Sequence, residues 1–106
     1  MKKAVFICNN PKKLAAVYGG DVIDRIGKLC LLDTAVYSRD EVLASPARFS
    51  DTEIIFSTWG MPAFSTEEIK SIFPRLEALF YAAGTVQSFA RPFLEAGCQV
   101  FSAFGI

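Results

Sequence analysis

The residues best suited to chemistry lie in two short turns that follow predicted strands. Six residues are candidates for binding a small ligand: Trp59, Gly60, Ala82, Ala83, Gly84 and Thr85. Small side chains let a ligand approach the backbone, where successive N–H groups can cradle an anion. The Trp ring can form a pocket wall, and the Gly-Met-Pro sequence suggests a fixed turn. A tight strand-to-helix turn beside a Trp that caps the core would have the same sequence.

The chain offers few groups for catalysis. It contains no histidine, which excludes His-dependent triads, His metal ligands and His general acids from its own residues. It also lacks a G-x-G-x-x-G fingerprint, a P-loop and a G-x-S-x-G elbow. No spacing of Cys, Asp or Glu suggests a metal site. We therefore predict no catalytic residue, no cofactor-binding residue and no metal ligand in this chain.

The composition predicts a single folded domain. The chain has 106 residues, of which 52% are hydrophobic and ten are Phe, so it can build a core of its own. Eleven basic residues balance eleven acidic ones, which argues against a nucleic-acid partner. No apolar run approaches the roughly 18 residues of a membrane span, so no membrane partner is expected. Three cysteines without a close pair, Cys8, Cys30 and Cys98, read as buried reduced thiols and indicate a cytoplasmic protein.

Strand and helix patterns alternate along the whole chain. Apolar runs predict five strands, at 4–8, 31–37, 53–59, 76–83 and 99–104. The segment "NNPKK" after the first strand reads as a turn. Helices are predicted over 19–30, after Ser38, after Ser65 and over 88–97; the two serines open S-x-x-E capping boxes. The predicted buried stripes consist of Val22, Ile23, Ile26, Leu29 and Cys30 in the first helix and Ile69, Ile72 and Phe73 in the third.

Alternation of this kind predicts an α/β fold with a parallel sheet between two helical layers. For this length we predict a flavodoxin-like three-layer sandwich of five strands in the order 2-1-3-4-5. Ligands of such sheets bind beyond the carboxyl ends of the strands. Both candidate turns lie at that edge.

Four segments carry a family resemblance. "VYGGDVIDRIGKL" at 17–29, "EIIFSTWGMP" at 53–62, "LEALFYAAGTVQSF" at 76–89 and "AGCQVFSAFG" at 96–105 occur in this order. The chain resembles the N-terminal domain of NAD-dependent D-isomer-specific 2-hydroxyacid dehydrogenases, in the branch described as hydroxyacid dehydrogenases or putative oxidoreductases. The resemblance runs from Val17 onward, and "STWGMP" with "FYAAG" are its most specific parts.

The resemblance implies a role in substrate binding. In that family the outer, flavodoxin-like domain contributes to the substrate site, whereas an inner Rossmann domain binds NAD and carries the catalytic Arg, Glu and His. Backbone amides of the turn after the fourth strand hold the substrate carboxylate, and the matching positions here are 82–86. The first Gly and the acidic residue of the usual pattern are replaced by Ala82 and Val86.

The resemblance also implies an incomplete enzyme. The chain stops directly after its fifth predicted strand, so we expect a truncation before the Rossmann domain and no activity from this chain alone. NAD is implied for the full-length family and no cofactor for this chain. The alternative is a small flavodoxin-like interaction module that self-associates or binds a protein partner. A homo-oligomer, or a separate Rossmann domain, would then cover the exposed apolar surface.

Overall fold

The computed structural model describes residues 1–82 and 89–102 and contains a five-stranded sheet in which all strands run parallel. The predicted order 2-1-3-4-5 is confirmed. Each strand is short and rich in β-branched or aromatic residues, as expected where side chains pack on both faces. The strands are β1 (Lys2–Ile7), β2 (Cys30–Tyr37), β3 (Ile54–Ser57), β4 (Ala78–Tyr81) and β5 (Gln99–Ser102).

Helices pack on both faces of this sheet. One face carries α1 (Pro11–Val17) and α2 (Gly20–Leu29), which contact a core cluster centred on Phe6. The other face carries α3 (Arg39–Ala44), a 3₁₀ helix (Pro46–Phe49), α4 (Thr66–Ile72) and α5 (Ala90–Glu95). These elements bury the larger cluster, which contains Val42, Phe49, Ile69 and Phe93. The arrangement is an α/β fold consistent with a flavodoxin-like architecture.

The helix boundaries follow the capping signals in the sequence. Ser38 accepts a hydrogen bond from the Glu41 amide and Ser65 from the Glu68 amide, and in both cases the Glu side chain accepts from the amide of the capping Ser. Both predicted capping boxes are therefore confirmed. The predicted stripe of α4 is also buried. Gly97 ends the last helix with a φ of +90°, the left-handed conformation that Gly adopts at little cost.

The first helix was not predicted from the sequence. Residues 9–13 were interpreted as a turn, but α1 begins at Pro11, with the Asn10 side chain accepting a hydrogen bond from the Lys13 amide. Asn as N-cap followed by Pro at the first helical position is a typical start signal. Only Leu14 of this seven-residue helix is buried, so no apolar stripe accompanied the signal.

The second helix is less buried than its pattern predicted. None of its residues is fully buried, and Leu29 is 75% exposed. Cys30 was assigned to the helical stripe, which is wrong, because it is the first residue of β2. A 3.6-residue period indicates which side of a helix is apolar, but it does not indicate how much of that side a neighbour covers. Here α2 packs beside strands that it covers only in part.

A column of four Phe rings crosses this same face of the sheet. Phe6, Phe56, Phe80 and Phe101 are neighbours in register on β1, β3, β4 and β5. We call them the phenylalanine ladder. Its last two pairs stack, with ring centroids 5.3 and 4.9 Å apart. Phe6 is completely buried under α1 and α2, whereas Phe80 and Phe101 are 36% and 41% exposed. The helical layer therefore covers only one end of the ladder.

Two further sequence predictions concern the surroundings of the chain. Within residues 1–82 and 89–102, no helix is long and apolar enough to cross a membrane. All three cysteines are buried and none is paired in a disulfide. Burial raises the pKa of the Cys98 thiol to about 11. This thiol is therefore protonated at neutral pH and a poor nucleophile.

Candidate functional site

The turns after β1 and β3 are joined at the carboxyl edge of the sheet. The Asn9 amide donates a hydrogen bond to the Gly60 carbonyl oxygen at 2.8 Å. The buried thiol of Cys8 lies 3.2 Å from the Trp59 carbonyl oxygen and 3.3 Å from that of Asn10. Backbone and thiol together fix the position of the Trp59–Gly60 peptide relative to the start of α1. We call this region, with Ala82 at the end of β4, the carboxyl-edge site.

Gly60 is required by the backbone at this position. Its φ of +99° lies in the region that residues with a side chain rarely adopt. A Cβ atom placed there would meet the Cys8 sulfur and the Asn10 Cβ at 3.2 Å and the Asn10 nitrogen at 3.3 Å. Close approach of the two turns therefore depends on the missing side chain.

The turn after β3 is also bonded to the end of β4. The Thr58 hydroxyl donates to the Ala82 carbonyl oxygen at 2.9 Å, and the Ala82 amide donates to the Ser57 carbonyl oxygen at 2.9 Å. Ser57 in turn donates its hydroxyl to the carbonyl oxygen of Ile7. These side chains are fully buried and satisfied, so they position the backbone and do not contact a ligand.

Tyr18 helps to hold the backbone of the carboxyl-edge site in position. Its hydroxyl donates to the Ser57 carbonyl oxygen at 2.8 Å, and its ring packs against Phe6 with centroids 5.3 Å apart. Burial raises the pKa of Tyr18 far above its usual value, and the nearby Cys8 acts in the same direction. The phenol therefore stays neutral and serves as a hydrogen-bond donor rather than as an acid or base.

Trp59 projects from this edge toward solvent and is 56% exposed. The Lys13 ammonium nitrogen stands 5.1 Å from the centroid of its ring, within cation–π distance. Neither the Trp59 nor the Gly60 amide donates a hydrogen bond within the described part of the chain. The edge thus combines one cation, one aromatic wall and two backbone donors, a set suited to a small anion.

An ion pair closes the edge on the side of α3. The guanidinium of Arg39 bonds both carboxylate oxygens of Glu68, at 3.2 and 2.8 Å, and donates to the Ala63 carbonyl oxygen at 2.6 Å. These contacts hold the pKa of Glu68 below its usual value. The Arg39 amide also donates to the Asn9 side chain at 3.0 Å. Arg39 is therefore engaged in tying α3 to α4.

The structure brings part of the predicted site together. Trp59, Gly60 and Ala82 lie in turns that are hydrogen-bonded to one another, as the sequence predicted for strand ends of a parallel sheet. Ala83, Gly84 and Thr85, which complete the predicted site, lie outside the described residues. Sequence reasoning missed Lys13, because its helix was interpreted as a turn. Interpreted as a helix start, "NNP" would have placed Lys13 in the first turn of a helix directly after β1.

The chemical capacity of this edge is binding and orientation. Its buried polar groups are a phenol, two hydroxyls and a thiol, each of which contacts a backbone oxygen. Across residues 1–82 and 89–102, no three Cys, Asp or Glu side chains are grouped so as to hold a metal ion.

Comparison with protein-family models, with curated proteins and with solved structures found no match for this chain.

Proposed function

We propose that the carboxyl-edge site binds the carboxylate of a small 2-hydroxy or 2-oxo acid. In this proposal the chain is the substrate-binding portion of a cytoplasmic NAD-dependent oxidoreductase and is inactive alone. The observation that carries the proposal is the hydrogen-bonded junction of the β1 and β3 turns at Gly60, to which Ala82 is linked through Thr58. The exposed Trp59 ring, the Lys13 cation and two amides without a partner among the described residues lie at this junction.

The proposal assigns no catalytic step to this chain. Hydride transfer requires a nicotinamide held against the substrate and a group that exchanges a proton with the reacting oxygen. The sequence has no G-x-G-x-x-G fingerprint and no histidine, so its residues do not fit a dinucleotide site of that kind. The three unpaired cysteines support a reducing compartment, hence the cytoplasm.

Titration of the ¹⁵N-labelled chain with lactate and pyruvate tests the proposal. We expect saturable shift changes at the amides of Trp59 and Gly60 and at the Trp59 indole, because the bound carboxylate accepts their hydrogen bonds. Lys13→Gln is expected to weaken binding by about threefold to fivefold, as for loss of one partly exposed charge. The chain alone is expected not to oxidise NADH with either acid.

Two controls make this titration decisive. Lys12→Gln removes the same charge one residue away, on the same exposed stretch, and is expected to leave the affinity unchanged. Lactamide keeps the shape of lactate but lacks the carboxylate, and it is expected not to bind. The absence of any shift with millimolar acid in 50-fold excess over protein would rule out a carboxylate site at this edge. Equal shifts with lactamide would rule it out as well.

A second candidate function is self-association through the phenylalanine ladder. An apolar groove of about 310 Å³ runs beside it, between α2 and β5, and is lined by Tyr18, Val22, Phe56, Phe80 and Phe101. The two outer rings alone expose about 150 Å², since each Phe side chain carries roughly 200 Å². This area is far smaller than a stable interface needs, so we propose a second copy of the chain as a weakly bound occupant of the groove.

Sedimentation velocity between about 5 and 500 micromolar tests this candidate. We expect a weight-average mass that rises with concentration, because burying two small apolar patches gives only weak affinity. Phe101→Thr is expected to abolish the rise. Leu94→Gln, an equally exposed apolar position on α5 at the opposite face, is the matched control and should preserve it. A constant monomer mass over the whole range would exclude self-association.

A further inference from the structure

A second concavity lies at the amino edge of the sheet, away from the site described above. Its volume is about 530 Å³. We call it the amino-edge pocket. Its walls come from the starts of β1 and β2 and from the segment after the 3₁₀ helix, and the residues that matter are Lys3, Leu31, Asp33, Arg48, Asp51 and Thr52.

This pocket exists because the crossover between β2 and β3 is short. The helix α3 has six residues and spans about 9 Å, whereas the eight residues of β2 extend about 26 Å. α3 is therefore too short to cover the whole of β2, and Arg48, Asp51 and Thr52 of the crossover line the pocket beside the amino half of that strand. Leu31 is 51% exposed as a result, and it forms an apolar wall of the pocket.

Both carboxylates of the pocket are already occupied. The Asp51 carboxylate forms an ion pair with the Lys3 ammonium group, so both of these groups are engaged. Asp33 accepts a hydrogen bond from the Ala35 amide at 3.0 Å and from the Tyr37 hydroxyl at 2.5 Å. The hydrogen bond that Tyr37 donates to Asp33 stabilises the neutral phenol and raises the pKa of Tyr37. Neither acid therefore offers a free oxygen pair to a cationic ligand.

Arg48 differs from these groups because its charge has no ion-pair partner among the described residues. Within the described residues it forms no ion pair, and its guanidinium donates one hydrogen bond, to the Tyr37 oxygen at 3.3 Å. The guanidinium stacks over the Tyr37 ring, with its carbon 5.5 Å from the ring centroid. This stacking orients a planar fork whose other N–H donors stay available for a carboxylate.

Thr52 supplies a second, independent polar group. The residue is only 2% exposed, yet its hydroxyl forms no hydrogen bond within the described residues. Every fully enclosed side-chain nitrogen or oxygen there has a partner, so this hydroxyl must reach solvent. The pocket that Thr52 lines is the opening available to it. A buried hydroxyl without a protein partner is stabilised when a ligand oxygen bonds it.

We infer that the amino-edge pocket binds a small amphiphilic carboxylic acid. Its carboxylate pairs with the Arg48 guanidinium and accepts from the Thr52 hydroxyl, and its apolar tail lies against Leu31. The charges lining the pocket sum to zero, so affinity comes from the Arg48 guanidinium and not from a general positive field. The expected dissociation constant is on the order of 1 mM.

The test uses 4-methylpentanoate as probe, added to the ¹⁵N-labelled chain. We expect saturable shifts at the amides of Leu31, Asp33 and Thr52. Arg48→Gln and Thr52→Val are each expected to weaken binding, by about fivefold and about threefold. Arg91→Gln removes an exposed arginine from α5 and should leave binding unchanged. Lys13→Gln should also leave it unchanged, and this variant tests the pocket independently of the carboxyl-edge site.

Two matched compounds decide the chemistry of the ligand. The amide 4-methylpentanamide keeps the tail and removes the charge, and 3-methylbutylamine reverses the charge. We expect neither to bind. Equal shifts with either compound, unchanged affinity in Arg48→Gln, or no saturable shift at all would overturn the inference. Spectra of each variant that match the unchanged chain outside the pocket establish that the fold is kept.

Discussion

Phe6→Ala is expected to lower the free energy of unfolding by about 3–5 kcal/mol. Phe6 has no exposed surface, and its ring contacts Tyr18 and Phe56 under the α1–α2 layer. Truncation removes the burial of an aromatic ring and leaves a cavity that β1, held between β2 and β3, cannot fill by shifting. The loss is a large part of the about 5–15 kcal/mol that stabilises a domain. Urea unfolding followed by circular dichroism measures it.

Phe101→Ala is the matched control at the other end of the phenylalanine ladder. Its ring stacks on Phe80 but is 41% exposed, so we expect a loss of about 1 kcal/mol. If Phe6→Ala does not fold, Phe6→Leu replaces it, with an expected loss of about 1 kcal/mol. If Phe6→Ala and Phe101→Ala lose the same free energy of unfolding at low micromolar protein, the outer face is not open. Such a result would show that the exposed rings are covered in solution.

The phenylalanine ladder shows where sequence reasoning stops. Alternation and capping signals were enough for five strands and for their order, because each is a local pattern or a general rule of crossover handedness. The register that aligns Phe56, Phe80 and Phe101 is set by contacts between strands far apart in sequence. No local pattern contains that information, so the alignment of these rings was not predicted, although exposed apolar surface was expected.

The same distinction applies to the two sites. Trp59, Gly60 and Ala82 were located from their positions at strand ends, since parallel strands bring their carboxyl ends to one edge. The amino-edge pocket was not, because Arg48 and Thr52 become pocket residues only through the shortness of a crossover. Lys13 was missed for a third reason. A seven-residue helix with one buried side chain lacks the apolar stripe by which helices are recognised.

Gly60→Ala is expected to lower the free energy of unfolding by about 3 kcal/mol. The φ of +99° alone costs an L-residue roughly 1–2 kcal/mol. The new methyl group would add a contact at 3.2–3.3 Å with Cys8 and with the Asn10 backbone, which cannot turn away as a long side chain would. Thermal and urea unfolding provide the measurement.

Gly97→Ala separates the two contributions to that loss. Gly97 has a similar φ of +90°, but a Cβ there meets nothing within 4 Å. We expect it to lose only the backbone part, about 1–2 kcal/mol. The difference between the two variants then measures the close approach of the β1 and β3 turns. Cys8→Ala in the Gly60→Ala background should recover part of this difference, because it removes one of the atoms that the methyl group meets. Equal losses at Gly60 and Gly97 would mean that the two turns do not approach closely in solution. The carboxyl-edge site would then lack the contact that fixes Trp59 beside Lys13.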